Sequence, residues 1–279
     1  MSGDALADPA ARLPVLLLSG TGLMSAVALR AAARLEKHFQ VLTASPSVAS
    51  DEPAAGWSTP TTTEDAVRAL DSAGAQRAHV VGLSFGAALA QELAIRHPER
   101  VGSLVLGSST AGGKLYVTPD RTIRRFLRRL ADLPAEEGLW ATVPYLYADT
   151  TCRRHAPLIG EDIARRLEWP LEPESYRFQH AIARAHDTST RLRAITAPTL
   201  VIHGERDRIL PLENGRLLAA GIAGAQFLPL PTGAQGFPTD VPDANGKLVS
   251  FLLAHSQPKA RPGATQSRPA TRSARATRA

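Results

Sequence analysis

One serine in this 279-residue chain lies in a setting that could make it a nucleophile. The stretch GLSFG places Ser84 between Gly82 and Gly86, after the apolar run HVVGL and before the helical pattern FGAALAQELAIRH. Small residues on both sides permit a sharp strand-to-helix turn that holds the serine in a strained, exposed conformation. The Phe85 amide, at the start of the helix, would then face a developing oxyanion. Ser84 is our candidate nucleophile, and an ordinary turn between a strand and a helix is the alternative.

A carboxylate and a second backbone donor follow two other predicted strands. Asp207 lies in VIHGERDRILP, after the strand that ends at His203, where a carboxylate could orient a base. A surface loop carboxylate is the other interpretation of Asp207. After the first core strand, LLLSGTGL places the amide of Thr21 next to Gly20, and this amide could complete an oxyanion hole with that of Phe85. A plain strand-to-helix connection is the alternative there.

Short apolar runs alternate with helical patterns, which predicts an α/β fold with a mostly parallel sheet and crossover helices. Thr61 and Glu64 predict a capping box at the start of one helix, and Pro98 ends another. The strands are predicted at Pro14–Ser19, Gln40–Thr43, Ala78–Leu83, Val101–Gly107, Pro198–His203 and Gln226–Leu230. The helices are predicted at Ser25–Phe39, Thr62–Ala73, Phe85–His97, Leu212–Ala220 and Ala244–His255.

The alternation is interrupted between residues 113 and 188, where the pattern is helical and rich in aromatic residues. Helices inserted between two strands of such a sheet predict a cap over the carboxyl ends of the strands, where ligands bind. We expect some of the aromatic side chains to line a pocket and others to form the core of the cap. They are Tyr116, Phe126, Trp140, Tyr145, Tyr147, Trp169, Tyr176 and Phe178. The predicted organisation is a core in two parts, 1–112 and 189–256, a cap at 113–188, and a tail at 257–279.

The net charge of +6 is located in the last 23 residues, QPKARPGATQSRPATRSARATRA. This stretch has six basic residues and no acidic one, and without it the chain carries 26 basic and 26 acidic residues. Its composition, rich in Pro, Ser, Thr and Ala, predicts a disordered, solvated tail. Contact with RNA or another anionic surface is the alternative, and we regard a nucleic-acid partner as the weaker reading.

The sequence pattern argues against several other classes of protein: membrane-spanning, secreted, metal-binding and phosphate-binding. The apolar runs are far shorter than the roughly 20 residues that cross a bilayer, and Asp4 and Asp8 argue against a secretory signal. Cys152 is the single cysteine and has no cluster of metal-ligating residues around it. The SGTG turn lacks the spacing of a phosphate-binding loop. We therefore expect a cytoplasmic protein that acts on or binds a small molecule, without a metal or cofactor, and the oligomeric state is open.

These motifs together resemble the α/β-hydrolase superfamily over about residues 13 to 255. The likeness is greatest to its carboxylesterase, lactonase and methylesterase branch, on GLSFGAALAQELAIRHPERVGSLVLGSSTAGG and on RLRAITAPTLVIHGERDRILPLENGRLLAAGIAGAQFLPLPTGAQGFP. The resemblance implies a serine nucleophile at Ser84, an acid at Asp207 and a histidine near the C-terminus, in that chain order. Because few residues precede the first core strand, we expect about six strands rather than the customary eight.

The expected histidine is absent. The family's turn after the last strand ends in Gly-His, and the matching stretch here is PTGAQGFPTDVP. Alignment on Phe237 and Pro238 places Gln235 at the histidine's position, whereas alignment on Gly233 places Gly236 there. Neither residue can take a proton near neutral pH. Family members also carry a histidine where this chain has Ser19, although backbone donation by Thr21 needs no particular side chain.

No other histidine is an obvious substitute. His255 ends the final helix and fits a surface position, and His203 matches a structural histidine of the family. His180 and His186 lie on a predicted cap helix, and one of them could face the pocket. The other four lie at the starts or ends of elements, away from the strand tips: His38, His79, His97 and His155.

Three functions are compatible with these residues. The first is a serine hydrolase for a small ester or lactone, impaired by the missing histidine unless a base comes from elsewhere. The second is an enzyme that orients a reactive compound for cyclisation, isomerisation or elimination. The third is a non-catalytic ligand-binding protein on a hydrolase scaffold.

Overall fold

The computed structural model describes residues 12–21, 24–44, 58–168 and 172–256. In these ranges six strands form one parallel sheet: β1 (Val15–Leu18), β2 (Val41–Ala44), β3 (Ala78–Leu83), β4 (Val101–Gly107), β5 (Thr199–Gly204) and β6 (Gln226–Leu230). Their order across the sheet is β2-β1-β3-β4-β5-β6. The four inner strands are buried throughout, because helices cover both faces of a parallel sheet. The predicted α/β-hydrolase fold with six strands is confirmed.

Alternate residues of each strand enter two separate cores. Val15 and Leu17 pack against α1 (Ser25–Leu35) and α11 (Pro242–Ala254), whereas Leu16 and Leu18 pack on the opposite side. That opposite side is covered by α2 (Thr59–Ser72), α3 (Phe85–Arg96) and α9 (Leu212–Gly221). The sheet is therefore clamped between two helical layers, and its carboxyl edge is held in a fixed position.

Two boundary predictions were wrong. The capping box of α2 is formed by Ser58 and Thr61, not by Thr61 and Glu64: Ser58 N donates to Thr61 Oγ1 at 2.9 Å. Pro60 in the first turn starts the helix three residues earlier than predicted, and Glu64 instead contacts His97 Nε2 at 3.3 Å. The first helix ends at Leu35 rather than Phe39.

Between β4 and β5 the described residues form helices and connecting loops, with no strand longer than a single bridge. The ends of this insertion are joined, because Gly112 and Asp187 form an isolated bridge and Thr188 N donates to Ala111 O at 2.8 Å. Trp169 and the tail 257–279, for which predictions were made, lie outside the described residues. The helices are α4 (Arg121–Arg129), α5 (Ala135–Leu146), α6 (Asp149–Arg154), α7 (Ala156–Glu168) and α8 (Pro173–Ala185).

A buried carboxylate fastens the insertion to the core. Asp162 of α7 accepts hydrogen bonds from Arg30 of α1 at 2.7 and 3.1 Å, and from the Tyr147 hydroxyl at 3.0 Å. It also accepts at 3.0 Å from Thr239 of the short helix α10 (Phe237–Asp240). This network ties α7 to α10, which directly follows the turn that carries Gln235. No helix in the described part of the chain is long and apolar enough to span a bilayer.

Candidate active site

Ser84 lies in a strained turn between β3 and α3. Its φ is 54° and its ψ is −117°, a region that non-glycine residues rarely adopt. The turn is held by Ser84 N, which donates to Gly107 O at 2.8 Å, and by Ser109 Oγ, which donates to Ser84 O at 3.1 Å. Such strain persists only where the surrounding structure enforces it, and it is concentrated at functional sites.

Both glycines of the motif are required by close packing. A Cβ on Gly82 would lie 2.5 Å from Ala87 Cα, and a Cβ on Gly86 would overlap the Leu18 carbonyl oxygen of β1. Helix α3 can therefore approach the sheet closely enough to present Ser84 at the carboxyl edge. Packing, in addition to the turn itself, explains why both positions are glycine.

Gln235 lies between Ser84 and Asp207. With its amide nitrogen facing the carboxylate, Nε2 donates to Asp207 Oδ2 at 2.6 Å and to Oδ1 at 3.0 Å, and Oε1 accepts from Ser84 Oγ at 2.9 Å. The opposite orientation would place Oε1 against the oxygens of the Asp207 carboxyl group and give Nε2 the Ser108 carbonyl oxygen at 3.4 Å. The three side chains thus form a chain of hydrogen bonds from the serine to the acid.

The backbone of Gly236, the other candidate for the histidine's position, packs against the insertion. Its amide donates to Leu146 O at 2.7 Å, and a Cβ there would lie 2.9 Å from that same oxygen. The space beside Gly236 is filled by α5 and by the Tyr147 ring. Of the two alignments left open by the sequence, only that on Gln235 puts a side chain between the serine and the acid.

Asp207 is buried at the end of β5 and its loop is built around it. Its Oδ1 accepts from the amides of Ile209 at 2.9 Å and Leu210 at 2.8 Å. Burial raises the pKa of Asp207 to about 7 from an ordinary value of 3.8, against the opposing effect of those two amides. Donation by Gln235 Nε2 also favours the ionised form. Because the partner amide carries no charge, the cost of burying this anion is only partly offset.

His203 supports the Asp207 loop and does not approach the serine. Its Nε2 donates to Leu210 O at 2.8 Å, and its Nδ1 has no hydrogen-bond partner among the described residues. Burial lowers the pKa of His203 to about 4, so the ring is neutral although Nε2 lies 3.5 Å from Asp207 Oδ2. The ring also packs against Gly215, where a Cβ would meet Nδ1 at 2.5 Å. The geometry agrees with a structural role.

No histidine in the described chain hydrogen-bonds Ser84 Oγ. His79 lies at the amino end of β3 with partners Ser103 at 2.8 Å and Ser256 at 2.9 Å, and His255 Nδ1 donates to Phe251 O at 2.8 Å on α11. His186, at the end of α8, is buried and contacts Thr59 Oγ1 at 3.2 Å. Burial lowers the pKa of His186 to about 4. The only side chain bridging serine and acid in this part of the molecule is a neutral amide.

A mainly apolar cavity of about 260 Å³ opens above Ser84. Thr21 and Phe85, whose amides are the predicted oxyanion donors, line the cavity together with Ser84 and Gln235. The walls come from both parts of the molecule: Met24, Ala88 and Ile209 from the core, and Tyr116, Leu127 and Tyr176 from the insertion. The site therefore combines a polar floor with an apolar wall, an arrangement that suits a carbonyl group on a hydrocarbon body.

Sequence reasoning missed the charged side of this cavity. Of His180 and His186, one was expected to face the pocket from a cap helix; both line it, although His186 lies one residue beyond the end of α8. Arg184, one helical turn beyond His180 on α8, was not singled out. The spacing of four residues on one helix was a usable signal, because it places both side chains on the same face. What the sequence could not supply was the orientation of that face.

Comparison with known proteins identifies relatives of this architecture. The model of the alpha/beta hydrolase family matches residues 15–248. A protein of Caulobacter vibrioides provisionally named carbamate hydrolase RutD is 31% identical over 195 residues, which cover 68% of this chain and 70% of that protein. The 2-hydroxymuconate semialdehyde hydrolase of Pseudomonas putida is 34% identical over 180 residues, 64% of this chain and 63% of that enzyme.

A solved structure gives the same result. A hydrolase from Pseudomonas aeruginosa PA01 matches with a TM-score of 0.71 and 27% sequence identity. The match covers 86% of this chain and 90% of that one. The likeness therefore extends through the sheet and the inserted helices rather than being confined to the motif around Ser84.

Proposed function

The chain belongs to the alpha/beta hydrolase family, and we propose that its Ser84 pocket binds a small carboxylic ester, lactone or related carbonyl compound without the general base that serine hydrolysis requires. The observation that carries this proposal is the Gln235 amide, which stands between Ser84 Oγ and Asp207 at 2.9 and 2.6 Å. We assign Ser84 and the amides of Phe85 and Thr21 to carbonyl binding, and Asp207 to orienting Gln235.

The chemical consequence follows from proton transfer. In a serine triad the imidazole accepts the hydroxyl proton as the nucleophile attacks, and later gives that proton to the leaving group. An amide can accept a hydrogen bond from the hydroxyl but cannot hold its proton near neutral pH. Loss of the base from a serine triad lowers kcat by about 10⁶, which leaves oxyanion stabilisation and binding. Hydrolysis by the usual route is accordingly impaired, while binding is retained.

The relatives point to the same class of ligand. The names of the two curated relatives describe hydrolysis of a carbamate and of a semialdehyde, both carbonyl compounds. The apolar cavity of about 260 Å³ has room for a small hydrocarbon body attached to such a carbonyl. We therefore expect recognition through the carbonyl oxygen and the hydrocarbon.

The test measures binding and turnover separately. Isothermal titration with dimethyl suberate, a neutral diester, should show saturable binding to the wild type. Turnover of p-nitrophenyl butyrate by the wild type should exceed that by Ser84→Ala by no more than about tenfold. A fluorophosphonate probe should label the wild type hardly faster than Ser84→Ala, because its attack also needs an activated serine.

Two outcomes would overturn the proposal. Rapid labelling at Ser84 with turnover far above that of Ser84→Ala would reveal a working base. If the wild type did not bind dimethyl suberate, the assignment of the Ser84 pocket to binding a carbonyl compound would be wrong. Melting temperatures of both proteins serve as the control for folding.

A second function is favoured by one observation, the state of His180. This ring lines the same cavity, stacks on Tyr176 at a centroid distance of 5.8 Å, and has no hydrogen-bond partner among the described residues. Burial and then Arg184 lower the pKa of His180, so the ring is neutral and able to accept a proton from a bound compound. This favours a non-hydrolytic enzyme that isomerises or eliminates, and a His180→Gln variant that retains full turnover of an identified substrate would exclude it.

A further inference from the structure

A second, smaller cavity of about 120 Å³ adjoins the Ser84 cavity on its insertion side. The two cavities share Tyr116, Leu127, His180 and Arg184 in their linings and are therefore immediate neighbours. Two further arginines line the smaller cavity, and Thr118 and Pro119 complete it. We call this smaller cavity, with its guanidinium groups from Arg124, Arg128 and Arg184, the arginine mouth.

We propose that the arginine mouth is an anion-recognition subsite, and that the carbonyl compounds taken by the Ser84 pocket carry a carboxylate at the end remote from their carbonyl. This inference rests on the proposed function, because it specifies the ligand of the same pocket. Arginine suits the role, since its planar guanidinium donates two parallel hydrogen bonds to a carboxylate.

The three arginines are not ion-paired with a carboxylate of the described residues. None of them forms an ion pair within the described residues, although other arginines of the chain do, such as Arg30 with Asp162 and Arg191 with Glu92. Asp120 lies near Arg124, but its Oδ1 accepts from Thr122 N at 2.7 Å as the cap of α4. That hydrogen bond is the main reason why the pKa of Asp120 is lowered, and Arg124 contributes less. The positive charge of the mouth is therefore left for a ligand.

Convergence from two helices distinguishes the mouth from a merely solvated face. Arg124 and Arg128 are four residues apart on α4, so they share one face, while Arg125 and Arg129 are displaced around the helix and do not line the cavity. Arg184 reaches the same cavity from α8. Arg184 and Arg124 also both act on the Tyr116 phenol, where they oppose the burial that raises its pKa.

His180 completes the junction between the cavities. Burial and the neighbouring Arg184 keep its imidazole neutral. A neutral ring adds a hydrogen-bond donor without adding a fourth positive charge, so it can contact either the anion or the hydrocarbon that connects the anion to the carbonyl.

The experiment compares two ligands that differ by one charge. Monomethyl suberate has an ester at one end and a carboxylate at the other, whereas dimethyl suberate has the same chain and no charge. Isothermal titration of the wild type should show at least about tenfold tighter binding of the monoester. The preference should weaken as the salt concentration rises from about 0.01 M to about 0.15 M, because the Debye length then falls from about 30 Å to about 8 Å and the exposed charges are screened more strongly.

Substitutions of individual arginines show which of them cause the preference for the monoester. The pair Arg124→Gln with Arg128→Gln, which lines only the arginine mouth, should weaken binding of the monoester by about tenfold and leave binding of the diester unchanged. Arg184→Gln, at the junction of the two cavities, should weaken binding of the monoester more than binding of the diester. Arg125→Gln is the matched control, because it removes the same charge from the same exposed helix outside the cavity. It should change neither affinity.

Equal affinity of the wild type for both ligands, or an equal loss in Arg125→Gln and Arg184→Gln, would overturn the inference. In the first case the diester still binds, so the proposed function stands while the anion subsite does not. Failure of both ligands to bind would count against the proposed function as well. Melting temperatures show whether each variant is folded.

Discussion

Two buried carboxylates of the molecule, one in the insertion and one beside Ser84, are stabilised in different ways. Asp162, in the insertion, accepts from the Arg30 guanidinium and from the hydroxyl groups of Tyr147 and Thr239. Asp207, after the end of β5, accepts from neutral donors, among them the amides of Ile209 and Leu210 and the side chain of Gln235. The first carboxylate has a cation beside it and the second has none.

The difference indicates what each carboxylate is for. A buried ion paired with a guanidinium is a structural fastening, since its charge is compensated. A buried anion that faces a neutral amide is poorly compensated, and a position of this kind suits a partner that becomes positive only during a reaction, as an imidazole does in a serine triad. Asp207 has kept its place and its loop, while the partner it faces cannot take a charge.

The largest predicted effect comes from giving Asp207 a partner that can become cationic. Gln235→His should raise kcat/KM for p-nitrophenyl butyrate by about 10³-fold or more, because in our proposal the base is the one element missing beside Ser84, Asp207 and the amides of Phe85 and Thr21. Stopped-flow or steady-state release of p-nitrophenol measures it. Adding Asp207→Asn to this variant should remove most of the gain, by analogy with the 10⁴-fold loss on such a change in a working triad.

The control for this gain is Gly236→His, which introduces the same imidazole one residue away, against α5. It should give no increase. A Gln235→His variant that folds, has an unchanged melting temperature and yet shows no gain would contradict the assignment of Ser84, Phe85 and Thr21 to an intact carbonyl site.

Much of this fold was predictable because its signals are local. The apolar runs of the strands, the glycines around Ser84 and the loop with Asp207 each occupy a few consecutive residues, and the predicted strands appear within a residue or two of their positions. The capping box was placed three residues too late because Ser58 and Thr61 cap as well as Thr61 and Glu64 would, and only the helix start at Pro60 decides between them.

The remaining features depend on distant parts of the chain. Arg30 and Asp162 are 132 residues apart in sequence, and no pattern near either residue predicts their contact. The choice between Gln235 and Gly236 was open because it depends on a backbone hydrogen bond from Gly236 to Leu146. The arginine mouth was not foreseen for the same reason, since α4 and α8 meet only after the insertion has folded.

The next prediction concerns Asp162, the carboxylate that is paired with a guanidinium. Asp162→Asn should lower the free energy of unfolding by about 3–5 kcal/mol, because it leaves the Arg30 guanidinium without its buried counter-charge. Urea denaturation followed by circular dichroism measures the change. Glu161→Gln is the control: its carboxylate also lies 3.2 Å from Arg30 Nη2 but is 55% exposed, so its loss should cost less than about 1 kcal/mol. Equal losses in the two variants would contradict the comparison.

Ionisation of Asp207, the carboxylate without a cation beside it, should change the free energy of unfolding as the pH is varied. Because the pKa of Asp207 is raised to about 7 in the fold, the native state holds this proton more tightly than the unfolded chain does. Stability therefore falls as the pH rises from about 4 to about 7, by about 2–4 kcal/mol at most. Asp207→Asn, which cannot ionise, should flatten the profile in that window, whereas Glu161→Gln should leave it as in the wild type. A profile that is unchanged in Asp207→Asn would assign the pH dependence to other groups.

The smallest predicted effect comes from removing one of the several hydrogen-bond donors to Asp162. Tyr147→Phe removes one hydroxyl that donates to Asp162 Oδ2, but Thr239 still donates to the same oxygen at 3.0 Å and Arg30 still neutralises the charge. The expected loss is about 1 kcal/mol in the free energy of unfolding, near the net value of a single hydrogen bond. The equivalent change at the other carboxylate, Gln235→Leu, should cost more, since Asp207 Oδ2 would lose the Gln235 donor without a guanidinium to compensate its charge. Paired urea titrations above pH 7, where Asp207 is ionised, should show the larger loss in Gln235→Leu, and the reverse order would mean that Asp207 tolerates isolation as well as Asp162 does.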